Sequence, residues 1–315
     1  MIGVWGRASY NGEMDPLLVE LLECLDLEPK EPDSDGSDLF RGRCERRRRS
    51  GPIFGGQVLS QALMAAGRTA LPLPVHSIHA LFLRAGNPDQ NIDFEVERLR
   101  DGRSFSARRV VARQAGTAIL TLQASFHAEE PGYEHQLPVP VAPDPESLPS
   151  FRELVEKMRP HFPDQFAEWA GNTRPLEFRF AVPPSYMGGE PSLDPSLTWF
   201  RAESELPDDP LLHQCLLAYA SDVGLNDNAF RPHSGPDEPA LRAMSTIDHA
   251  MWFHTPARVD AWTLYFQESP RATRGRGFAR GSMYARDGTL IASMGQDSVM
   301  RPASDPSNSR PRLRS

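Results

Sequence analysis

One plan occurs twice in this chain, and that constrains the fold more than any other feature. In each half a short helix, apolar on nearly every face, precedes a run of strands that closes with a tight hairpin. The first helix is VLSQALMAAGRTA, opened by Phe54-Gly55-Gly56-Gln57, and the strands after it are Val75–Leu83, Ile92–Leu99, Arg103–Gln114 and Thr117–His127. In the second half a strand at Leu197–Glu203 leads into the helix Leu211–Asp222 (LLHQCLLAYASD). Strands at Met244–His254, Trp262–Glu268, Arg276–Arg286 and Thr289–Met300 follow it. The strand reading rests on alternation: Ala118, Leu120, Leu122, Ala124 and Phe126 fall on one face of their segment. Asp101-Gly102, Gly116 and Asp287-Gly288 mark hairpin turns. A helix that is apolar all round is covered by other structure. The expected class is therefore α+β, each half an antiparallel sheet with one helix before it.

Superposing the two hairpin glycines, 172 residues apart (288 − 116), also aligns Ala107 with Ala279, Arg108 with Arg280, Thr117 with Thr289 and Ile119 with Ile291. An internal duplication is the economical account. It divides the chain into a disordered extension (1–13), a first repeat (14–130), a proline-rich linker region (131–190), a second repeat (191–302) and a disordered tail (303–315). Asp15 and Pro16 form the cap and first turn of an amphipathic helix running to Leu25. The basic run Glu45 to Arg49 reads as a solvated loop, and Phe151–Arg159 as a short helix.

Composition removes several function classes. A net charge of −8 argues against a general nucleic-acid or membrane-surface binder. No run approaches the ~20 apolar residues of a membrane span, and the N-terminus lacks a signal-peptide core. Three cysteines, Cys24, Cys44 and Cys215, have no paired spacing and fit a reducing compartment without a zinc site. A soluble cytoplasmic protein is expected. His76 and His79 fall on opposite faces of one strand and make a poor metal pair. His249 and His254 read as structural or solvent-facing. The nucleophile-elbow and dinucleotide-loop patterns both fail: Gly102-Arg103-Ser104-Phe105-Ser106 lacks its final glycine, and Gly275-x-Gly277 has Arg280 at the third glycine position. No metal and no cofactor are expected.

The duplication lets one half act as a control for the other. Leu212, Cys215, Tyr219 and Asp222 share a helical stripe, so the stripe of the second helix ends in a carboxylate. Aligning the helices through Gln57 and Gln214 sets Asp222 against Ala65. Matching Phe82 to Phe253 sets Thr246 against Val75, and the hairpin register sets Gln296 against Ala124. Three polar residues thus replace three apolar ones at inward positions. A carboxylate, a hydroxyl and an amide converging in an apolar pocket can hold and polarise one water. Asp222 would accept its proton, and Thr246 and Gln296 would fix its orientation. No strong general acid accompanies them, which suits a leaving group such as a thiolate, whose thiol pKa is about 8.5.

FGGQVLSQALMAA, HSIHALFLRAG, LRDGRSFSARRV, ASFHAEEPGYEHQ, LLAYASD, STIDHAMWFH and QDSVMR together resemble the acyl-CoA thioesterase II family, from about Met14 to Arg301. The resemblance implies a double hotdog, two repeats each with a curved antiparallel sheet wrapped around a central helix. It implies hydrolysis of fatty acyl-CoA to free fatty acid and CoA, with the family's catalytic Asp, Thr and Gln falling on Asp222, Thr246 and Gln296. Relatives usually carry Gln-Glu-Gly where this chain has Gln296-Asp297-Ser298. Further expectations are an oxyanion contact near Gly56, CoA-phosphate contacts from Arg274, Arg276 and Arg286, and a homodimer or homotetramer through sheet edges. The alternatives are a hotdog enoyl-CoA hydratase using Asp227 and His233, or a non-catalytic acyl-CoA-binding protein.

Overall fold

The computed structural model describes residues 14–32, 36–45, 51–160, 174–235 and 241–302. The expected disordered ends and most of the basic run after Glu45 lie outside these residues. Asp15 accepts from the Leu17 N–H at 2.6 Å and caps helix α1 (Pro16–Leu25), as its sequence requires. The first half continues with strands β1 (Glu28–Lys30) and β2 (Asp38–Gly42), helix α2 (Gly55–Arg68), then β3 (Val75–Phe82), β4 (Ile92–Asp101), β5 (Phe105–Gln114) and β6 (Thr117–His127). Within the stretch read as linker lie helix α3 (Phe151–Met158) and strand β7 (Glu177–Phe180), and β7 pairs into the second half. The second half then holds β8 (Ser196–Arg201), α4 (Pro210–Ser221), α5 (Leu225–Phe230), β9 (Leu241–Phe253), β10 (Thr263–Thr273), β11 (Arg276–Ala285) and β12 (Leu290–Pro302).

The twelve strands form one antiparallel sheet in the order β1-β2-β4-β5-β6-β3-β9-β12-β11-β10-β8-β7. Read outward from the central β3–β9 pair, the two halves carry equivalent strands in the same sequence. This is an α+β double hotdog in which the two curved sheets are joined edge to edge. Helix α2 packs on β3, β4, β5 and β6 and against α4. Residues Gly56 to Gly67 of α2 are all buried, and so are all of α4 from Leu211 to Ser221 except Gln214. That explains why neither helix shows a polar face.

The helices run antiparallel and nearly touch. A Cβ on Gly56 would stand 2.5 Å from the Tyr219 carbonyl oxygen, and one on Gly67 would strike Leu211. Glycine at both ends of α2 is what lets the C-terminus of α4 meet the N-terminus of α2.

Strand register fixes the duplication residue by residue. Phe82 pairs with Leu120, and Phe253 with Ala292, giving offsets of 171 (253 − 82) and 172 (292 − 120). The bulge between Val75 and Ser77 recurs between Thr246 and Asp248, so even the irregularity is repeated. Thr246 does stand at the place of Val75, and Gln296 at that of Ala124. One expectation is corrected. Arg108 pairs with Ala124 and Ala279 with Gln296, so Arg108 matches Ala279, not Arg280. The cause is one extra residue in the second hairpin: four residues separate the paired Arg113 and Ala118, five separate Tyr284 and Leu290. Sliding the glycines together therefore shifted β5 against β11 by one.

Candidate active site

Asp222 is the C-cap of α4, and only 7% of its surface is exposed. Its Oδ2 accepts from the Gly56 N–H at 2.9 Å, in the first turn of α2. Its Oδ1 accepts from the Thr246 hydroxyl at 3.3 Å. Burial pushes the Asp222 carboxyl above the usual aspartate range, and nearby His249, the Gly56 N–H, the Thr246 hydroxyl and Arg174 each offset part of that rise. The carboxylate sits where the negative end of one helix faces the positive end of another. A carboxylate held this way binds a proton more readily than an exposed aspartate, yet keeps donors that support its ionised form.

Asp222 and Thr246 line a cleft of about 290 Å³, together with Ile53, Gly55, Phe82 and Leu120 among others. Arg84 stands at the same cleft. Gln296 does not line it. Gln296 is fully buried behind Thr246, donating from Nε2 to the Thr246 hydroxyl at 3.0 Å and to the Ser298 hydroxyl at 3.3 Å. Ser298, one of the departures from the family pattern, thus gives the amide an additional partner. Both amide N–H bonds are occupied, so Gln296 acts on Thr246 and does not itself reach into the cleft.

His249 was read as structural or solvent-facing, and the structure places it inside this network. It is 1% exposed, with Nδ1 2.8 Å from Gln296 Oε1 and Nε2 2.9 Å from the Ser221 hydroxyl. Since Oε1 can only accept, Nδ1 carries a proton. Burial lowers the His249 pKa, against the raising influence of Asp222 and Gln296. Nε2 meets the Ser221 hydroxyl, which also donates to the Ala218 carbonyl at 2.8 Å. Plain alternation would put Thr246 and His249, three apart, on opposite faces. The bulge at Ile247 inserts one residue and brings both to the inner face. A single sequence carries no strong signature of such a bulge, so alternation alone does not place His249 here.

The remaining candidates are scattered. The Gly56 N–H is occupied by Asp222, whereas the Gly55 N–H finds no acceptor among the described residues. Arg274 and Arg276 stand at the β10–β11 turn around a hollow of about 250 Å³ that Arg301 and His233 also line. Arg276 pairs with Asp297 at 2.8 Å. Arg286 lies just past the opposite end of β11, ten residues away (286 − 276), which is about 30 Å along a strand. There it binds Glu146 and Asp144 at 2.8 and 3.2 Å. One phosphate group cannot meet both ends. Asp227 accepts from the Ser185 N–H at 3.1 Å and from its hydroxyl, so its carboxylate is bound within the scaffold and away from the cleft. No cluster of three or more metal-binding side chains occurs among the described residues.

Comparison with known proteins agrees with this architecture. Residues 46–127 match the family model described as acyl-CoA thioesterase N-terminal domain, and residues 170–299 the model described as acyl-CoA thioesterase. The chain is 35% identical over 304 residues to acyl-coenzyme A thioesterase 8 of Mus musculus, spanning 94% of this chain and 92% of that protein. It is 37% identical over 250 residues to acyl-CoA thioesterase 2 of Haemophilus influenzae, spanning 79% of this chain and 87% of the relative. The crystal structure of an acyl-CoA thioesterase II from Mycobacterium marinum matches with a TM-score of 0.71 at 36% identity, covering 90% of this chain and 99% of that one. The chain belongs to the acyl-CoA thioesterase II family, a family of thioester hydrolases.

Proposed function

We propose that this protein hydrolyses fatty acyl-CoA to free fatty acid and CoA, using a water activated by Asp222. The observation that carries the reading is a buried carboxylate at the wall of a cleft of mixed polar and apolar lining, held by a helix N-terminus and a threonine. Each carboxylate oxygen keeps a lone pair beyond its bond to Gly56 or Thr246, and a water can donate to it. In the attack step the water oxygen bonds to the thioester carbon while its proton passes to Asp222. The carbonyl oxygen becomes an oxyanion, for which the Gly55 N–H is the available donor. Collapse breaks the C–S bond, the thiolate leaves, and the proton on Asp222 can follow it to sulfur.

Gln296 and His249 are positioning residues in this scheme. His249 occupies Gln296 Oε1, which forces the amide to present Nε2 to Thr246, which in turn orients the Thr246 proton toward Asp222. Arg274 and Arg276, beside Arg301, would receive CoA phosphates. Arg286 is left out of that role because its guanidinium already holds two carboxylates. The hydratase alternative is less favoured, since Asp227 does not line the cleft and is bound to Ser185. A binding protein that releases no thiol is separated by the assay itself: thiol release from a fatty acyl-CoA, with and without Asp222.

A cytoplasmic homo-oligomer belongs to the same proposal. No described helix is long and apolar enough to cross a membrane. Leu81 and Trp252, 52% and 40% exposed, leave apolar surface on the central strand pair where a second copy could pack.

A further inference from the structure

The pseudo-symmetry that isolates Asp222, Thr246 and Gln296 also predicts where a second cleft should lie. The helix offset of 157 (214 − 57) carries Pro52 and Ile53 of the cleft onto Asp209 and Pro210. The strand offset of 171 carries Ala85 and Gly86 onto Pro256 and Ala257, and Ser245 back onto Pro74. All five image residues line one hollow of about 580 Å³, at the far end of the helix pair from Asp222. It is twice the volume of the cleft that keeps the base, and within the usual range of small-molecule sites.

The chemistry has been removed from this second place. Its counterparts of the three polar residues are Ala65, Val75 and Ala124, and all three are buried and apolar. Arg108, paired beside Ala124, donates to the carbonyl and hydroxyl of Thr69 at 2.7 Å each and so ties down the end of α2. What survives is a binding shape without a base.

The lining states what would fit. Leu71, Leu73, Leu211 and Ala257 make an apolar wall. Glu129, Asp208, Asp209 and Arg258 are its charged members, a formal balance of −2 from three acids and one base. Arg258 is already held by Asp260 and Asp208, at 2.6 and 3.3 Å. An anionic head therefore meets carboxylates here and no free cation among the described lining residues. His213 also lines the hollow. Its Nδ1 accepts from the Val259 N–H at 3.1 Å, which leaves the proton on Nε2. That Nε2 is buried beside the Pro207 backbone and offers no surface to the hollow.

We propose that this hollow is a non-catalytic binding site for a single aliphatic chain bearing an uncharged head, of the fatty-alcohol or monoacyl-ester class. CoA thioesters and free carboxylates are disfavoured by its acidic rim. The site does not depend on the reaction assigned to the other cleft.

Titration calorimetry with dodecanol, dodecanoate and dodecanoyl-CoA on the Asp222→Asn protein tests this, alongside two variants of the hollow. Ala257→Trp fills the space, and Leu71→Glu places a charge on a half-exposed wall residue that the fold tolerates. The expected result is dodecanol binding at one site per chain, weakened about tenfold or more by either substitution, which is at least ~1.4 kcal/mol. Both substitutions made in the otherwise unaltered protein should leave thiol release from acyl-CoA within about twofold. Dodecanoate binding as tightly as dodecanol would overturn the charge argument. Dodecanol binding that ignores both substitutions would place the ligand elsewhere, and no dodecanol binding at all would overturn the site itself.

Discussion

Gly55→Ala should silence this enzyme without unfolding it. A Cβ built on Gly55 would stand 2.7 Å from Asp222 Oδ2 and 3.1 Å from the Phe82 ring. Ordinary contact begins near 3.4 Å, so the carboxylate oxygen must retreat by about 0.7 Å. It cannot do so and keep its 2.9 Å bond from the Gly56 N–H and its 3.3 Å bond from Thr246. A displacement approaching 1 Å at a reacting group costs on the order of 10²-fold in rate, so kcat should fall roughly 10- to 100-fold. Folding should not suffer comparably. Gly55 is already helical, and alanine is favoured over glycine in a helix by up to about 1 kcal/mol. The assay is a kcat and KM determination on a saturable acyl-CoA, paired with a thermal melt of each protein. Full kcat in Gly55→Ala would refute the idea that Asp222, held in this geometry, is the base. A melt that collapses would show the clash being relieved by parting the helices and not by moving the carboxylate.

Four further outcomes follow from the same geometry. Because burial raises the Asp222 pKa, the acid limb of kcat/KM should lie above the ~3.9 of a free aspartate, activity falling as pH drops through the raised native value. The stability sign is opposite: the native state holds that proton more tightly than the unfolded chain, so ionising Asp222 weakens the fold as pH rises, and Asp222→Asn should melt higher than wild type at neutral pH and converge with it in acid. His249→Leu frees Gln296 Oε1 and should lower kcat about tenfold with little change in KM, while His249→Asn, which keeps a donor, should recover part of it; equal kcat values for the two would sink the positioning role. Arg286→Ala should leave KM for acyl-CoA unchanged within error, since its partners are Asp144 and Glu146 at the wrong end of β11.

Much of this was readable in the chain because duplication supplies its own reference. The helices and most strands follow from period and turn chemistry, and the polar replacements at Asp222, Thr246 and Gln296 stand out only against Ala65, Val75 and Ala124. What was hidden depends on departures from period. The place of His249 beside Gln296 is hidden because a bulge at Ile247 breaks the two-residue alternation, and a bulge has no strong signature in a single sequence. Arg108 was misaligned because the second hairpin is one residue longer than the first. The layering of the site, with Gln296 behind Thr246 and not at the cleft, is a matter of burial that residue type alone does not reveal. The strand Glu177–Phe180 was lost in a proline-rich stretch whose composition resembles a linker more than a sheet edge.

The most direct measurement is thiol release from short- to long-chain acyl-CoAs by wild type and Asp222→Asn. Release by wild type that falls by several orders of magnitude in the variant, with acyl-CoA still bound, is the predicted result. Undiminished release by Asp222→Asn would contradict the central claim, because the water would then be activated by something other than Asp222.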